Sequence, residues 1–319
     1  MSFLIGVDEA GYGPNLGPLL ISATAWRVSG APEEIDLYEK LSGAVSPSAN
    51  AAAGAIAIAD SKLLYKSRGR LDRLERAIFA TLAMMDQRPE DWRQMWAALA
   101  GASGAHRQSL PWYGHYNERL PLDAAPTQLE ALADRLQRAL SKNDIQLAAF
   151  KSVAVFPPQF NQKTAALGTK SATLTAATLK LLAEVLAELP DDKLLIICDK
   201  HGGRNCYLPA LQQQFPEFLI EVRRESRPVS VYCWGPPTRR TEIRFEAKGE
   251  RFLPAALASL ASKYLRELAM RAFNAYWCER VPQLRPTAGY PADAKRFRRD
   301  IESTRRALGI SWDDIWRCK

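Results

Sequence analysis

Residues 6–14 read GVDEAGYGP, and this stretch lies between two apolar runs. Residues 3–10 predict a short β-strand that ends at the glycines, because glycine weakens strands and is typical of turns. Residues 19–26 predict a second strand, which returns along the first as in a hairpin. Asp8 and Glu9 are therefore expected at the end of a strand, directly before a glycine turn.

A third acidic residue has a similar setting. Asp199 follows the apolar run 193–198, which predicts a buried strand. α/β sheets place reactive groups at strand ends, and carboxylates converging without His or Cys suit Mg²⁺ or Mn²⁺ better than Zn²⁺. Acids at strand ends also commonly cap helices or face water, so this alternative stays open at this point.

The remaining chain alternates between predicted helices and strands. Helices are predicted over residues 66–85, 127–141, 169–189, 254–277 and 292–308, and further strands over 146–156, 218–222, 229–234 and 240–247. Residues 43–59 are interpreted as a loop or weak helix. Residues 86–126 have no clear period and are interpreted as an insertion or small subdomain, whose tryptophans form a small core rather than a platform for stacking bases.

Composition narrows the class of protein. Of 319 residues, 47% are hydrophobic and 24% charged, which excludes collagen, coiled coils and global disorder. No apolar run approaches the roughly 20 residues of a membrane span, and no signal peptide is recognised at the start. Five cysteines without CxxC spacing favour a reducing compartment and no zinc site. We therefore expect a cytoplasmic protein without membrane contacts.

The charge is uneven along the chain. Residues 1–199 hold 20 basic and 22 acidic residues, whereas residues 200–319 hold 23 and 13. This imbalance favours a polyanionic partner such as nucleic acid, although a solvated basic face without a partner would look the same. The basic residues cluster at Arg223, Arg224 and Arg227, at Arg239, Arg240 and Arg244, and over residues 295–306.

Five motifs together resemble one known family. Residues 6–14 with Gly17-Pro18 resemble GxDEAGRGPxxGP, the opening signature of the ribonuclease HII family, and residues 60–63 resemble its DSKxL element. Asp199 is similar to its buried-strand aspartate. Residues 248–250 and 257–263 resemble its KGD and AASIxAK elements, and Gly289-Tyr290 its late Gly-Tyr turn. The matches run in order over residues 6–291 and leave residues 86–126 largely uncovered.

The resemblance implies an α/β fold, a ribonuclease H-like mixed sheet flanked by helices with a helical or irregular insertion and a C-terminal helical extension. Residues 1–319 would form one catalytic domain, in which 86–126 is the insertion and 254–319 the helical substrate-binding part. The implied activity is metal-dependent hydrolysis of the RNA strand of RNA/DNA hybrids, or at ribonucleotides in duplex DNA, leaving 5'-phosphate and 3'-hydroxyl ends.

The resemblance also implies a site. Its catalytic residues and metal ligands would be Asp8, Glu9, Asp199 and Glu250, holding two Mg²⁺ or Mn²⁺ ions without an organic cofactor. Adjacent strand residues point to opposite faces, so Asp8 and Glu9 converge only if the strand twists or breaks. The substrate-binding residues would be Gly11, Tyr12, Gly13, Ser61, Lys62, Lys248, Ser259 and Tyr290.

Three features depart from the family pattern. Tyr12 replaces an arginine in the turn that reads the ribose 2'-hydroxyl, which puts preference for a single ribonucleotide in doubt. Glu250 replaces an aspartate and reaches one methylene further. Asp199 and Glu250 lie 51 positions apart, which implies an extra strand pair carrying Arg239 and Arg240. Alternatives are therefore a hybrid- or duplex-binding protein that has lost turnover and a nuclease of this fold with a DNA target.

Each candidate also has an ordinary structural role. Ser61 is a good helix N-cap, and Ser259 suits helix packing. Tyr290 suits turn packing. Lys62, like Ser61, could belong to the cap of the next helix instead of contacting phosphate, and Lys248 could simply be solvated. His201 is interpreted as a loop residue, and Cys198 as buried apolar filler.

Overall fold

The computed structural model describes residues 1–66 and 69–318 and contains one seven-stranded mixed sheet, in the order β5-β2-β1-β6-β9-β8-β7. The strands are β1 (Ser2–Ala10), β2 (Leu19–Val28), β3 (Val45–Ser46), β4 (Ile56–Ala57), β5 (Gln146–Val155), β6 (Lys193–Asp199), β7 (Glu221–Glu225), β8 (Val229–Trp234) and β9 (Thr241–Glu246). Strands β3 and β4 pair separately.

Helices cover both faces of this sheet. The α-helices are α1 (Leu37–Lys40), α2 (Ser61–Leu64), α3 (Asp72–Ala83), α4 (Trp92–Ala100), α5 (Gly104–Gln108), α6 (Pro111–Gly114), α7 (Pro126–Lys142), α8 (Pro157–Leu167), α9 (Lys170–Leu186), α10 (Leu208–Gln214), α11 (Leu253–Arg280), α12 (Pro291–Asp300), α13 (Glu302–Ala307) and α14 (Trp312–Ile315). In the described residues, no helix is both long and apolar enough to cross a bilayer.

Strand β1 is the third of the seven strands and has a partner on each side. It pairs antiparallel with β2, as the predicted hairpin requires, and parallel with β6 on its other side. β9 continues the sheet parallel to β6, and β8 and β7 follow antiparallel. The fold class predicted from the family resemblance, a mixed sheet flanked by helices, is therefore confirmed.

Side chains of β1 alternate between two hydrophobic cores. Leu4 lies in the core shared with α11, α3 and α4, whereas Phe3, Ile5 and Val7 lie in the core shared with α9 and α10. This alternation follows from the two-residue period of a strand. The alternation therefore predicts on which face of the sheet each side chain at the end of β1 lies.

Gly6 allows α11 to lie directly on β1. A Cβ at Gly6 would come within 1.9 Å of the Ala255 nitrogen and 2.1 Å of the Pro254 carbonyl carbon. Both are backbone atoms of the first turn of α11, so the helix would have to move away from the strand. The glycine at this position is therefore a packing requirement.

We expect Gly6→Ala to lower the free energy of unfolding by about 3 kcal/mol, because the added methyl group overpacks backbone against backbone. Urea denaturation followed by circular dichroism measures this. Gly104→Ala is the matched control, since a Cβ there meets no atom of the described residues within 4 Å. Equal stability of the two variants would contradict the packing argument.

The tryptophan-rich segment joins the main core instead of forming its own. Trp92, Trp96 and Trp112 are each at most 3% exposed. Trp112 packs edge-to-face on Phe273 of α11, and the Trp92 indole donates a hydrogen bond to the Leu268 carbonyl. The three rings are core side chains and are closed to nucleic-acid bases.

Several predicted boundaries differ from the structure. Residues 43–59 contain the paired strands β3 and β4 instead of a weak helix. Helix α3 begins only at Asp72, because the amide of Leu71 donates to the Asp123 carboxylate. The predicted last helix divides into α12 and α13 at the fully buried Ile301. β7 begins at Glu221, since the apolar Leu219 before it is 85% exposed.

Candidate active site

A small cavity lies where β1 and β6 end on the α11 side of the sheet. Its volume is about 190 Å³. The side chains that line it are those of Asp8, Glu9, Tyr12, Asp60, Ser61, Lys62, Asp199, Glu250 and Ser259. It thus gathers all four acids expected from the sequence and four of the eight expected substrate-binding residues; we call it the acid cavity.

The strand register brings Asp8 and Asp199 together. Parallel pairing of β1 with β6 matches Val7 to Cys198, so the next residue of each chain is one of the two acids. Asp8 has the same phase as Leu4, so its side chain takes the α11 face. The two carboxylates therefore meet through sheet geometry, although they are far apart in sequence.

Small polar residues of α11 fit against this end of β1. The hydroxyl of Ser262 donates to the Asp8 carbonyl at 3.0 Å. The Ser259 hydroxyl lies 3.2 Å from that of Ser61, and its hydrogen bond to the Asp8 carboxyl favours the charged form of that group. The Asp8 Oδ1 accepts a hydrogen bond from the Glu9 amide at 2.8 Å. Ser259 thus links α11, α2 and the acid.

Glu9 reaches the same place without a break in the strand. β1 stays paired with β2 through Ala10, so the expected break between the two acids does not occur. The pairing of β1 with β6 ends at Cys198, which leaves the edge of β1 open beyond that point. Glu9 therefore lies beyond the part of β1 that is paired with β6. Asp8, Glu9 and Asp199 each offer a carboxylate oxygen, all within 4.8 Å of one another.

Glu250 comes from a 3₁₀ turn, Gly249–Arg251, just before α11. Its side chain lines the acid cavity, but its carboxylate is not part of the close group of three acids. Its charge raises the pKa values of both Asp8 and Asp199. Glu250 is therefore near the cluster but stands apart from its centre.

Burial and mutual repulsion disfavour the charged forms of the clustered carboxyl groups. Burial, followed by the charges of Asp199 and Glu250, raises the pKa of Asp8 from 3.8 to about 7. Burial and the charges of Asp8 and Asp199 raise the pKa of Glu9 well above its usual value, whereas the Lys62 ammonium lowers it. A divalent cation would remove this repulsion, and an all-oxygen donor set fits Mg²⁺ or Mn²⁺.

Stability without metal should therefore depend on pH. A carboxyl whose pKa is raised by folding stabilises the protein below the unfolded value of 3.8, and this stabilisation is lost as pH rises through the folded value of about 7. We expect the Tm of the metal-free protein to fall between pH 5 and pH 8, and Mg²⁺ to raise it more at pH 8. Scanning calorimetry of wild type and Asp8→Asn measures this. An identical pH profile in the variant would contradict the assignment.

The other predicted substrate residues lie outside the acid cavity. A groove of about 780 Å³ adjoins it and shares Glu9, Ser61 and Lys62 with it. Gly11 and the half-exposed Tyr290 line this groove. Gly13 and Lys248 are exposed and line neither space.

Two groups were not singled out as site residues from the sequence. Asp60 lines the acid cavity, although its carboxylate also accepts the Lys62 amide and so caps α2. Lys263, Arg266 and Arg271 of α11 line the groove. These three basic residues are separated by three and then five positions along one helix, and this spacing is the sequence feature that could have indicated them. His201 is a buried loop residue whose Nδ1 contacts the Thr175 hydroxyl.

Many residues of the basic clusters are held in ion pairs. Arg223 and Arg240 both contact Glu221, and Arg244 contacts Glu242. Arg305 and Arg306 share Glu302 in the same way. Arg239 contacts Asp191, and Arg296 contacts both Asp293 and Asp300. Several arginines of the basic clusters are therefore already paired with acidic side chains of the protein.

No family model matches the sequence, and no curated protein matches it. Among solved structures, a chain of the PCNA:RNase HII complex from Archaeoglobus fulgidus is 13% identical with a TM-score of 0.44, the alignment covering 99% of this chain and 94% of that one. Ribonuclease H2 from Pyrococcus horikoshii OT3 is 13% identical with a TM-score of 0.37, over 98% and 92%. Bst-RNase HIII in complex with Mn²⁺ is 15% identical with a TM-score of 0.39, over 99% and 65%.

Proposed function

We propose that the protein is a Mg²⁺- or Mn²⁺-dependent endoribonuclease that cuts RNA within hybrid duplexes, or at ribonucleotides in duplex DNA. The observation that carries this proposal is the group of three carboxylates within 4.8 Å, formed by residues of the ribonuclease HII-like motifs. Motif order and site geometry thus point to the same residues.

Asp8, Glu9 and Asp199, with Glu250 beside them, would hold the cations. Bound divalent cations would activate a water and stabilise the leaving oxygen of the phosphodiester. Asp8 is the natural central ligand, because it lies on β1 beside Asp199 of the middle strand β6, and because the charge of Glu250 acts on its carboxyl. Ser259 orients its carboxylate through their hydrogen bond.

The groove and the glycine turn would hold the nucleic acid. The groove opens from the acid cavity and has Tyr290 on its wall, where the ring can pack on a sugar or base. Lys62 lies between the two spaces and can contact a phosphate. Backbone amides of Gly11 and Tyr12 can donate to a ribose hydroxyl, the group that distinguishes RNA from DNA.

The second candidate is a hybrid- or duplex-binding protein with little turnover. The position of Glu250, outside the close group of three acids, favours it. A binder would retard a labelled hybrid in a gel without shortening it. The two candidates therefore predict different products from one assay.

The test compares three duplexes of one sequence at fixed salt: an RNA/DNA hybrid, a DNA duplex with one ribonucleotide, and all-DNA. We expect Mg²⁺- or Mn²⁺-dependent cleavage of the hybrid, cuts that leave 5'-phosphate ends, and intact all-DNA. Cleavage of all-DNA would identify a nuclease with a DNA target. Retardation of the hybrid without cleavage under either metal would support the second candidate.

A further inference from the structure

Two arginines are buried beneath the glycine turn, residues 11–18. Arg266 of α11 is 3% exposed and Arg317 is 2% exposed. In the described part of the chain, neither guanidinium has a carboxylate within 4.0 Å. Burying a charge without a counterion is costly, so the contacts that each guanidinium does make are of interest.

Both guanidiniums donate hydrogen bonds to backbone carbonyls in or near the turn. Arg317 Nη2 donates to the Gly11 carbonyl at 2.6 Å and also to that of Pro14. Arg266 Nη2 donates to the Ala288 carbonyl at 2.9 Å, in the loop that leads to Tyr290. Among the residues that the structure describes, the buried Nε and Nη1 atoms of Arg317 have no hydrogen-bond partner. Arg317 is thus buried at this position although, in the described residues, only its Nη2 atom donates hydrogen bonds from the guanidinium.

Residues 311–318, which we call the strap, hold Arg317 in place. The Arg317 amide donates to the Asn15 carbonyl at 2.8 Å, and the Asn15 side chain donates back to the Arg317 carbonyl at 3.3 Å. On the other side, Asn161 of α8 donates to the Trp316 carbonyl and accepts from the Cys318 amide. The Arg317 guanidinium lies 4.9 Å from the centre of the Phe160 ring.

The contact with Gly11 fixes a peptide plane. In a trans peptide the carbonyl and the next amide point in opposite directions. Because the Gly11 carbonyl points inward to Arg317, the Tyr12 amide points away from it, and in the described residues this amide has no hydrogen-bond acceptor. Gly11 lines the groove and Tyr12 lines the acid cavity. The free donor therefore belongs to the peptide that joins the two spaces.

We propose that Arg317 is a positioning residue, which holds the Gly11–Tyr12 peptide so that its amide reads the 2'-hydroxyl of a ribonucleotide entering the acid cavity. This inference rests on the proposed function and adds to it a determinant of ribonucleotide preference. Arg317 itself touches no substrate. It acts through the backbone carbonyls that its guanidinium binds, those of Gly11 and Pro14.

The test measures the affinity for two fluorescent duplexes at fixed salt, one all-DNA and one with a single ribonucleotide. All proteins carry Asp8→Asn so that the duplexes stay intact. We expect Arg317→Met to reduce the preference for the ribonucleotide duplex about five- to tenfold, the worth of one hydrogen bond, with all-DNA affinity unchanged. Asn161→Ala, which keeps the guanidinium but loosens the strap, should act in the same direction. Arg138→Met, exposed on α7, is the control.

The outcomes are distinct. An unchanged preference in both Arg317→Met and Asn161→Ala would overturn the inference. An equal loss of both affinities would also overturn it, because that is the mark of a general structural defect. A parent protein that binds both duplexes without preference would overturn the positioning role. One that binds neither of them, and does not bind an RNA/DNA hybrid either, would remove the proposed function itself.

Discussion

Asp8→Asn is expected to reduce metal-dependent cleavage of an RNA/DNA hybrid by at least about 10³-fold, because the variant loses the central carboxylate of a site that holds cations by charge. Asp8 lies on β1, next to the middle strand β6, and one of its carboxylate oxygens is within 4.8 Å of those of Glu9 and Asp199. The amide keeps the shape of the side chain but not its charge. Initial rates on a labelled hybrid in Mg²⁺ measure the effect.

Hybrid affinity separates this loss from misfolding. Half of the residues that line the groove belong to α11 and the loop before α12, and Asp8 is not one of the lining residues, so Asp8→Asn should leave hybrid affinity nearly unchanged. Glu246→Gln is a matched control, since Glu246 ends the neighbouring strand β9 beside Asp199 but contacts Arg251. We expect this control to stay within about twofold of wild type. Full activity in Asp8→Asn would discard the mechanism.

Glu75→Ala is expected to lower the free energy of unfolding by about 4 kcal/mol, because it leaves several buried donors without acceptors. Glu75 is 0% exposed. Its carboxylate accepts the amides of Leu122, Asp123 and Ala124 at 2.5 to 2.8 Å and the Tyr264 hydroxyl at 3.2 Å. One side chain thus ties α3 to α11 and to the segment before α7.

Chemical denaturation measures this loss, with Glu130→Ala on the exposed face of α7 as the control. We expect the control to change stability by less than about 0.5 kcal/mol. Glu75→Gln should fall between the two, since its amide oxygen can keep one or two of the acceptor contacts. A wild-type unfolding midpoint in Glu75→Ala would contradict the hydrogen-bond argument.

The strands and helices that position the site could be predicted from local patterns. Residues 3–10 and 19–26 form the expected hairpin, and the long helix expected from residue 254 begins at Leu253. Apolar periodicity reports burial directly, so it succeeds where one face or the whole strand is buried. It fails at β7, an exposed edge strand with few apolar side chains inside the protein.

The contacts that complete the site could not be predicted in this way. Glu9 joins the cluster because β6 stops pairing with β1 at Cys198, which depends on where a distant strand ends. Glu75 and Arg317 bind backbone groups 47 to 49 and 303 to 306 positions away. Neither residue type carries a local signal for such partners. Glu250 lines the acid cavity with the other acids, but it comes from a 3₁₀ turn and lies outside the close group of three.

Anomalous diffraction from crystals soaked in Mn²⁺ tests most directly whether the acid cluster is a divalent-cation site. We expect a strong Mn²⁺ peak within ligating distance, about 2.2 Å, of the Asp8 and Asp199 carboxylates. This peak should be lost in Asp8→Asn. Mn²⁺ peaks elsewhere on the protein, with the carboxylates of Asp8, Glu9 and Asp199 left unligated, would contradict it.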